Sequence, residues 1–443
     1  MGARFRWRPQ SESEGEAGMM TVKNLLEKNQ HVDGWRITEK ATLSYELFFV
    51  HRSLETVRAT DTVSTSVTVY VDHDGAKGDS TFAVYRSMTE EDIAAKIEAA
   101  VARARLVSNQ PYDLPEGGEL TAELPTNMKD CDMKELGVKI ADAVFAADTL
   151  PGGSINACEV FLYRDTVRVM NSRGVDKTQI THRAMIEAIP TFTTEKESVE
   201  LYEDYRFTEF DAEKITAEIA EKMQEVKARS EAVKPAVPMT VNAILRPHEI
   251  SELIRELAFD LNYAAVYSHA NLHHQGDDLQ QDGDGDKLTV TMKSVVEGSE
   301  QSARFDDDGM ELSDTCVIEN GVVKGYFGAS RFGQYLKVEK PSGSLRCAQV
   351  KPGSISVEEM KAQPCLDIVS MSGLQLDLYN DYIGGEIRLA YYFDGEKTVP
   401  VTGITMSAKL SDALKGMRLS AETTVSGAYE GPQRIMLKDI AVL

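Results

Sequence analysis

The dipeptide Asn320-Gly321, set between Thr315–Ile318 and the alternating run Val322–Phe327, constrains this chain more than any other short stretch. Both central residues of a type I′ turn need positive φ, which Asn and Gly tolerate best. The two flanking runs are therefore expected to fold back on each other as antiparallel strands. A second two-residue signal, Asp394-Gly395, separates Glu386–Phe393 from Lys397–Val401. Leu288–Met292, Leu366–Val369, Leu374–Leu378 and Arg434–Val442 read as further strands, and Ser411-Asp412-Ala413-Leu414 opens a short helix. The C-terminal part is thus β-rich and mostly antiparallel.

Lys234-Pro235-Ala236-Val237-Pro238 marks the main boundary, because the two prolines disfavour continued helix. Upstream, Leu43–Val50, Thr65–Val71 and Thr81–Tyr85 alternate with the period of strands. Thr89 reads as an N-cap with Asp92 in the reciprocal position, and Ile93, Ile97, Val101 and Ala104 follow at helical spacing. Pro111–Pro125 reads as a surface connector. Cys158–Arg164 and Val167–Met170 read as a hairpin leading into Asn171-Ser172-Arg173-Gly174. Asp211 caps a helix whose stripe is Ile215, Ile219, Met223 and Val226. Beyond the boundary, Pro247 suits a first helical turn, with Ile250, Leu253, Ile254 and Leu257 as the buried face. The expected division is a disordered extension over 1–19, in which Met19-Met20 offers an alternative start, then domains over 20–236 and 237–443.

Length and composition, 443 residues with 42% hydrophobic and 27% charged, fit an ordinary globular protein of two or three domains. A formal net charge of −23 argues against nucleic-acid binding, which needs clustered Lys and Arg to displace counterions. Five scattered cysteines, odd in number and without CxxC spacing, suggest a reducing compartment, and the expected location is cytoplasmic. No run approaches the ~20 apolar residues that span a bilayer, so no membrane association is expected. Arg4, Arg6 and Arg8 precede a polar stretch with no apolar core, unlike a secretory signal.

His269-Ala270-Asn271-Leu272-His273-His274 holds three of the eight histidines. Two imidazoles at i and i+4 on one helix face can share Zn²⁺, and His269 and His273 have that spacing. The competing reading is an exposed polar helix end beside an acidic loop, which zinc's need for a complete ligand set favours. Asp282-Gly283-Asp284-Gly285-Asp286 opens like a calcium loop, but Lys287 and Lys293 occupy the positions that need Gly and Glu. Phe305-Asp306-Asp307-Asp308-Gly309 reads as a turn that satisfies backbone N–H groups. No GxSxG, SxxK or Walker A sequence is present.

Asp306-Asp307-Asp308-Gly309 followed by Glu319-Asn320-Gly321-Val322-Val323-Lys324-Gly325-Tyr326 resembles the TldD/PmbA family, proteins linked to zinc-dependent peptide cleavage and to DNA gyrase. Asp367-Ile368, Asp381-Tyr382-Ile383-Gly384-Gly385 and Pro400-Val401-Thr402-Gly403 sit in family-like order, and Asn171-Ser172-Arg173-Gly174 resembles the family's Asn-x-x-Gly turn. The resemblance implies an α+β protein. An N-terminal helix-backed sheet domain is followed by a larger, mainly antiparallel, barrel-like β domain. It also implies a zinc motif of His-Glu, three residues and a second His, matching His269, Ala270 and His274 here. Ala270 stands where the family carries the Glu that activates metal-bound water, and alanine cannot accept a proton. The Gly-containing stretch Thr423–Gly431 lacks the Cys of active members. The pattern is closer to the companion subunit PmbA (TldE), which implies no catalytic residue and no cofactor of its own. Zinc on His269, His273 and His274 would be vestigial. Implied partners are a TldD-like chain in a heterodimer, or a second copy, with unfolded peptide as substrate. An autonomous zinc peptidase and a homodimeric peptide-binding protein are the alternatives.

Overall fold

The computed structural model describes residues 12–443, with side-chain surroundings from Gly18 onward. The first sheet is built from β1 (Gly34–Val50), β2 (Ser53–His73), β3 (Ala76–Val84), β4 (Glu119–Glu123), β5 (Gly153–Asn171), β6 (Asp176–Thr193), β7 (Ser198–Glu200) and β8 (Glu203–Phe207). Its order is β3-β2-β1-β5-β6-β4, with β7 and β8 also on β6. Helices α1 (Glu12–Lys28), α2 (Glu90–Ala104), α3 (Met133–Ala146) and α4 (Ala212–Glu231) back one face. Met19, Val22, Leu26, Ile93 and Ile97 close over Ile37, Val67 and Val69 at one end. Ile140, Val144, Ile215 and Ile219 close over Leu47, Val160 and Ile186 at the other. The opposite face is polar: Thr42 and Arg183 bond Asp165 at 2.5 and 3.0 Å.

Local signals set the helix starts. Thr89 and Asp92 form the reciprocal capping box of α2, and the Asp211 side chain accepts the Lys214 N–H to cap α4. Several expectations change. The expected disordered extension overlaps α1 from Glu12 onward, and its residues 1–11 lie outside the described residues. Cys158–Arg164 and Val167–Met170 are one continuous strand, β5, because Asp165 pairs across the sheet instead of turning. The Pro111–Pro125 connector carries β4, which runs parallel to β6.

Beyond Pro238 come β9 (Met239–Leu245), α5 (Pro247–Asp260), α6 (Tyr263–Tyr267), β10 (Val290–Lys293), β11 (Thr315–Glu319), β12 (Val322–Val323), α7 (Ser330–Tyr335), β13 (Cys347–Val350), α8 (Val357–Lys361) and β14 (Cys365–Met371). They are followed by β15 (Gln375–Asp377), β16 (Tyr382–Phe393), β17 (Thr398–Val401), β18 (Ile404–Lys409), α9 (Leu410–Gly416), β19 (Arg418–Leu419), β20 (Thr423–Ser426), β21 (Tyr429–Pro432) and β22 (Ile435–Val442). One sheet runs β12-β11-β10-β13-β21-β20. The other runs β14-β9-β22-β18-β16-β15, and β14 also pairs β16, so β14, β9, β22, β18 and β16 close into a ring. This is the barrel-like unit, antiparallel except that β14 runs parallel to β9. In the six-stranded sheet β13 runs parallel to β21. Closure removes free edges from the ring strands.

The Asn320-Gly321 hairpin forms as expected, with Glu319 opposite Val322 and φ of 51° and 84° at the turn, although its second strand is only Val322–Val323. The Asp394 turn is longer than two residues. Phe393 pairs Thr398, and Asp394 Oδ1 accepts the N–H groups of Glu396 and Lys397 at 2.9 Å each. The two halves meet at the polar face of the first sheet. Arg36 on β1 pairs with Asp308, Lys177 Nζ lies 3.1 Å from Glu311, and Gln179 Oε1 accepts the Arg304 N–H at 2.6 Å. Gly309 has φ +83°, and a Cβ there would meet Val175 at 2.7 Å, so only glycine allows this approach. Among the described residues, no helix is long and apolar enough to cross a membrane.

Candidate functional site

The histidine cluster lies beyond the end of a helix. The five-residue helix α6 stops at Tyr267, where Ser268 Oγ bonds back to the Ala264 carbonyl at 2.8 Å, and His269 takes φ +57°. The i, i+4 spacing of His269 and His273 therefore does not place them on one helical face, as the zinc reading requires. His273 Nδ1 is 2.9 Å from Asp260 Oδ2, and Asp260 also accepts the N–H groups of Leu272 and His273 at 2.6 and 3.0 Å. Burial alone would raise the Asp260 pKa, but these hydrogen bonds and the imidazole hold it below its ordinary value. His274 faces Asp277 instead, with Nδ1 3.8 Å from Oδ2, and His269 is exposed. Ala270 is exposed in the same loop, its carbonyl accepting the Tyr379 hydroxyl. Among the described residues no group of three His, Cys, Asp or Glu side chains could hold a metal ion. The donor set here does not fit zinc, which wants about three convergent protein ligands.

The three acids of the 306–308 turn do separate jobs. Asp306 is buried and accepts the N–H groups of Asp308, Met310 and Ser344, each at 3.0 Å, which fixes the turn against the Gly343-Ser344 backbone. Burial raises its pKa against those hydrogen bonds. Asp308 holds Arg36 of the first sheet, and Asp307 holds Arg346 at 3.0 Å. The acidic loop Asp282–Asp286 is likewise tied down: Asp284 pairs Lys438 at 2.8 Å and Arg418 at 3.4 Å.

Between α5 and the six-stranded sheet lies a cavity of about 230 Å³. Its apolar wall comes from Ile254, Ala258, Met292, Phe327, Leu345 and Ala348, and its polar groups from Ser251, Arg255, Asn262 and Arg346. Asn262 Oδ1 is engaged as the cap of α6, and the Tyr429 hydroxyl donates to the Pro432 carbonyl at 2.9 Å, leaving the two guanidiniums as the strong polar features. Phe259 stands on the rim, 67% exposed. No motif marks these residues, and reasoning from sequence missed them. The available signal was on α5: Ser251, Ile254, Arg255 and Ala258 recur at i, i+3, i+4 and i+7 and share one side of the helix that overlaps the buried Ile250–Leu257 stripe.

One end of α5 is anchored by a buried charge network. Arg246, its N-cap residue, bonds Glu225 of α4 and lies 3.3 Å from Asp367 of β14. Asp367 also meets Lys361 at 2.7 Å and Arg434 at 4.0 Å. The five cysteines are all free thiols, and burial pushes Cys158 up to about 12 and Cys365 to about 11.

Residues 238–443 match the PmbA/TldA metallopeptidase C-terminal domain family. An alignment of 109 positions, covering 21% of this chain, is 29% identical to Metalloprotease MJ0996 of Methanocaldococcus jannaschii and spans only 24% of that protein's length. The fold is similar over nearly the whole chain to TldE from Thermococcus kodakarensis, with TM-score 0.78, 15% identity, and 97% and 99% of the two chains covered. It is equally similar to a Thermotoga maritima protein of known crystal structure, with TM-score 0.79, 16% identity, and 97% and 100% covered. Residues 238–443 thus match the PmbA/TldA metallopeptidase C-terminal domain in sequence, the motifs at Asp306–Gly309 and Asn320-Gly321 lie within that match, and the fold of the chain is similar to these solved structures.

Proposed function

We propose that this chain is a TldE-like, non-catalytic subunit that holds unfolded peptide for a metal-bearing, TldD-like partner. The observation that carries the reading is the cavity wall. Aliphatic and aromatic side chains, one hydroxyl, one amide and two guanidiniums can hold a peptide side chain. Hydrolysis there would need a base, and a guanidinium stays protonated at any working pH, so it cannot take a proton from water. The similarity to TldE along the whole chain supports the same role. Of the three clustered histidines, His273 faces Asp260, His274 faces Asp277 and His269 is exposed.

The experiment mixes the purified chain with a TldD-like subunit and follows mass, zinc content and peptide cleavage. A one-to-one complex that cleaves peptides, with zinc on the partner, is expected. An isolated chain that binds one zinc and cleaves peptides in a chelator-sensitive way, losing this with His269→Ala, would overturn the reading in favour of an autonomous peptidase. A chain that pairs only with itself and binds peptide without cleavage would identify a homodimeric binding protein.

A further inference from the structure

We propose that the cavity between α5 and the six-stranded sheet receives one apolar side chain of an extended peptide, and that Arg255 and Arg346 read a carboxylate next to that side chain. The proposal rests on the peptide-holding reading and names the peptide class.

Size comes first. An apolar cavity of ~150 Å³ is large enough to bind benzene, so about 230 Å³ has room for a side chain such as leucine or phenylalanine. Ile254, Ala258, Phe327, Leu345 and Met292 are each under a tenth exposed, so the floor is built from core side chains and is preformed. Phe259 extends that apolar surface outward at the rim, where a neighbouring residue of the peptide would lie.

Charge then sets the class. The chain carries a net charge of −23, yet both charged residues lining this cavity are arginines. Their present partners are weak competitors. Arg255 lies 3.8 Å from Glu256, and Arg346 is 3.0 Å from Asp307, whose side chain is 87% exposed. Such solvent-exposed pairs hold loosely. A planar guanidinium can bind a carboxylate through two parallel hydrogen bonds, and two of them at one mouth discriminate strongly against a cation. The carboxylate can be an Asp or Glu side chain or the α-carboxylate of a C-terminal residue.

The test uses the full chain and fluorescence anisotropy with labelled, glycine-based peptide amides. One carries leucine followed by glutamate, one leucine followed by lysine, and one alanine followed by glutamate. A fourth ends in leucine with a free carboxylate. The leucine–glutamate peptide is expected to bind at least ~10-fold more tightly than the leucine–lysine or alanine–glutamate peptide, from the usual worth of a charged hydrogen bond and a buried leucine. Arg255→Glu and Arg346→Glu should each lower its affinity by ~10-fold and raise that of the lysine peptide. Both side chains are largely solvent-exposed, 69% and 49%, so the fold should tolerate them, and far-UV circular dichroism checks this. Tight binding of the free-acid peptide alone assigns the carboxylate to a chain end; tight binding of the internal glutamate alone assigns it to a side chain. Equal affinity for the glutamate, lysine and free-acid peptides, or affinity indifferent to both arginine reversals, overturns the proposal. Mass measurement with a TldD-like chain keeps the two readings apart. Pairing without selective peptide binding sinks only this inference, and selective binding without pairing sinks only the subunit reading.

Discussion

Replacing Asp367 with Asn should destabilise the chain by about 3–5 kcal/mol, the usual cost of removing one partner from a buried ion pair. Asp367 is 4% exposed and stands among three cations: Arg246 at 3.3 Å, Lys361 at 2.7 Å and Arg434 at 4.0 Å. Burial alone would raise its pKa, but Arg246 and Lys361 outweigh burial and hold it below the ordinary 3.8. Once the charge is gone, Arg246 keeps Glu225, whereas Arg434 loses its nearest carboxylate. Burial and the neighbouring Arg246 already hold Arg434 below the usual guanidinium range, so its uncompensated charge should account for most of the loss.

That attribution makes a second demand. Adding Arg434→Gln to Asp367→Asn should recover part of the stability, because the penalty lies in the stranded charge rather than in the missing contact. Urea unfolding followed by far-UV circular dichroism, with midpoint and slope fitted separately, gives both numbers. The pH dependence fixes the sign. A carboxyl whose folded pKa is depressed stabilises above its unfolded pKa and loses that contribution as pH falls through the folded value. The gap between wild type and Asp367→Asn should therefore be full at pH 7 and close below about pH 4. A loss under about 1 kcal/mol, the size expected of a surface pair, or a double variant no better than the single one, would refute this account of how α4, β9 and β14 are tied together.

Glu249 should behave in the opposite way. Burial raises its pKa above the ordinary 4.5, and its Oε2 has no hydrogen-bond partner. A raised carboxyl contributes stability below its unfolded pKa that fades as pH rises, so Glu249→Gln should gain about 1 kcal/mol at pH 8 and nothing at pH 4 in the same urea assay. Asp306→Ala should cost about 3 kcal/mol by stranding three N–H groups, whereas Asp307→Ala should stay within about 0.5 kcal/mol; paired thermal melts separate them. Ala270→Glu should leave zinc content unchanged in equilibrium dialysis, because position 270 follows His269 at φ +57° rather than lying on a helix.

What the sequence showed was whatever local chemistry decides. Thr89 and Asp92, Asp211, Pro247 and Asn320-Gly321 each satisfy or shape backbone within a few residues, and each stands as expected. Readings that depended on distant partners went astray. Asp165-Thr166 looks like a turn because two polar residues separate the runs Cys158–Arg164 and Val167–Met170. In the fold Asp165 lies on the polar face of a long sheet, held by Thr42 from 123 residues away and by Arg183. The helical placement of the histidine cluster departs for a local reason that spacing alone does not carry. Spacing of four implies one face only if a helix continues through it, and α6 ends before His269 because Ser268 bonds back into its last turn. The cavity was hidden more completely, since Met292, Phe327 and the Leu345–Ala348 stretch come from three separate segments and meet α5 only after the six-stranded sheet has formed. Arg255 and Arg346, 91 positions apart, are ordinary surface arginines in the sequence; what gives them a shared role is the packing of a helix against a sheet, and no local pattern records that.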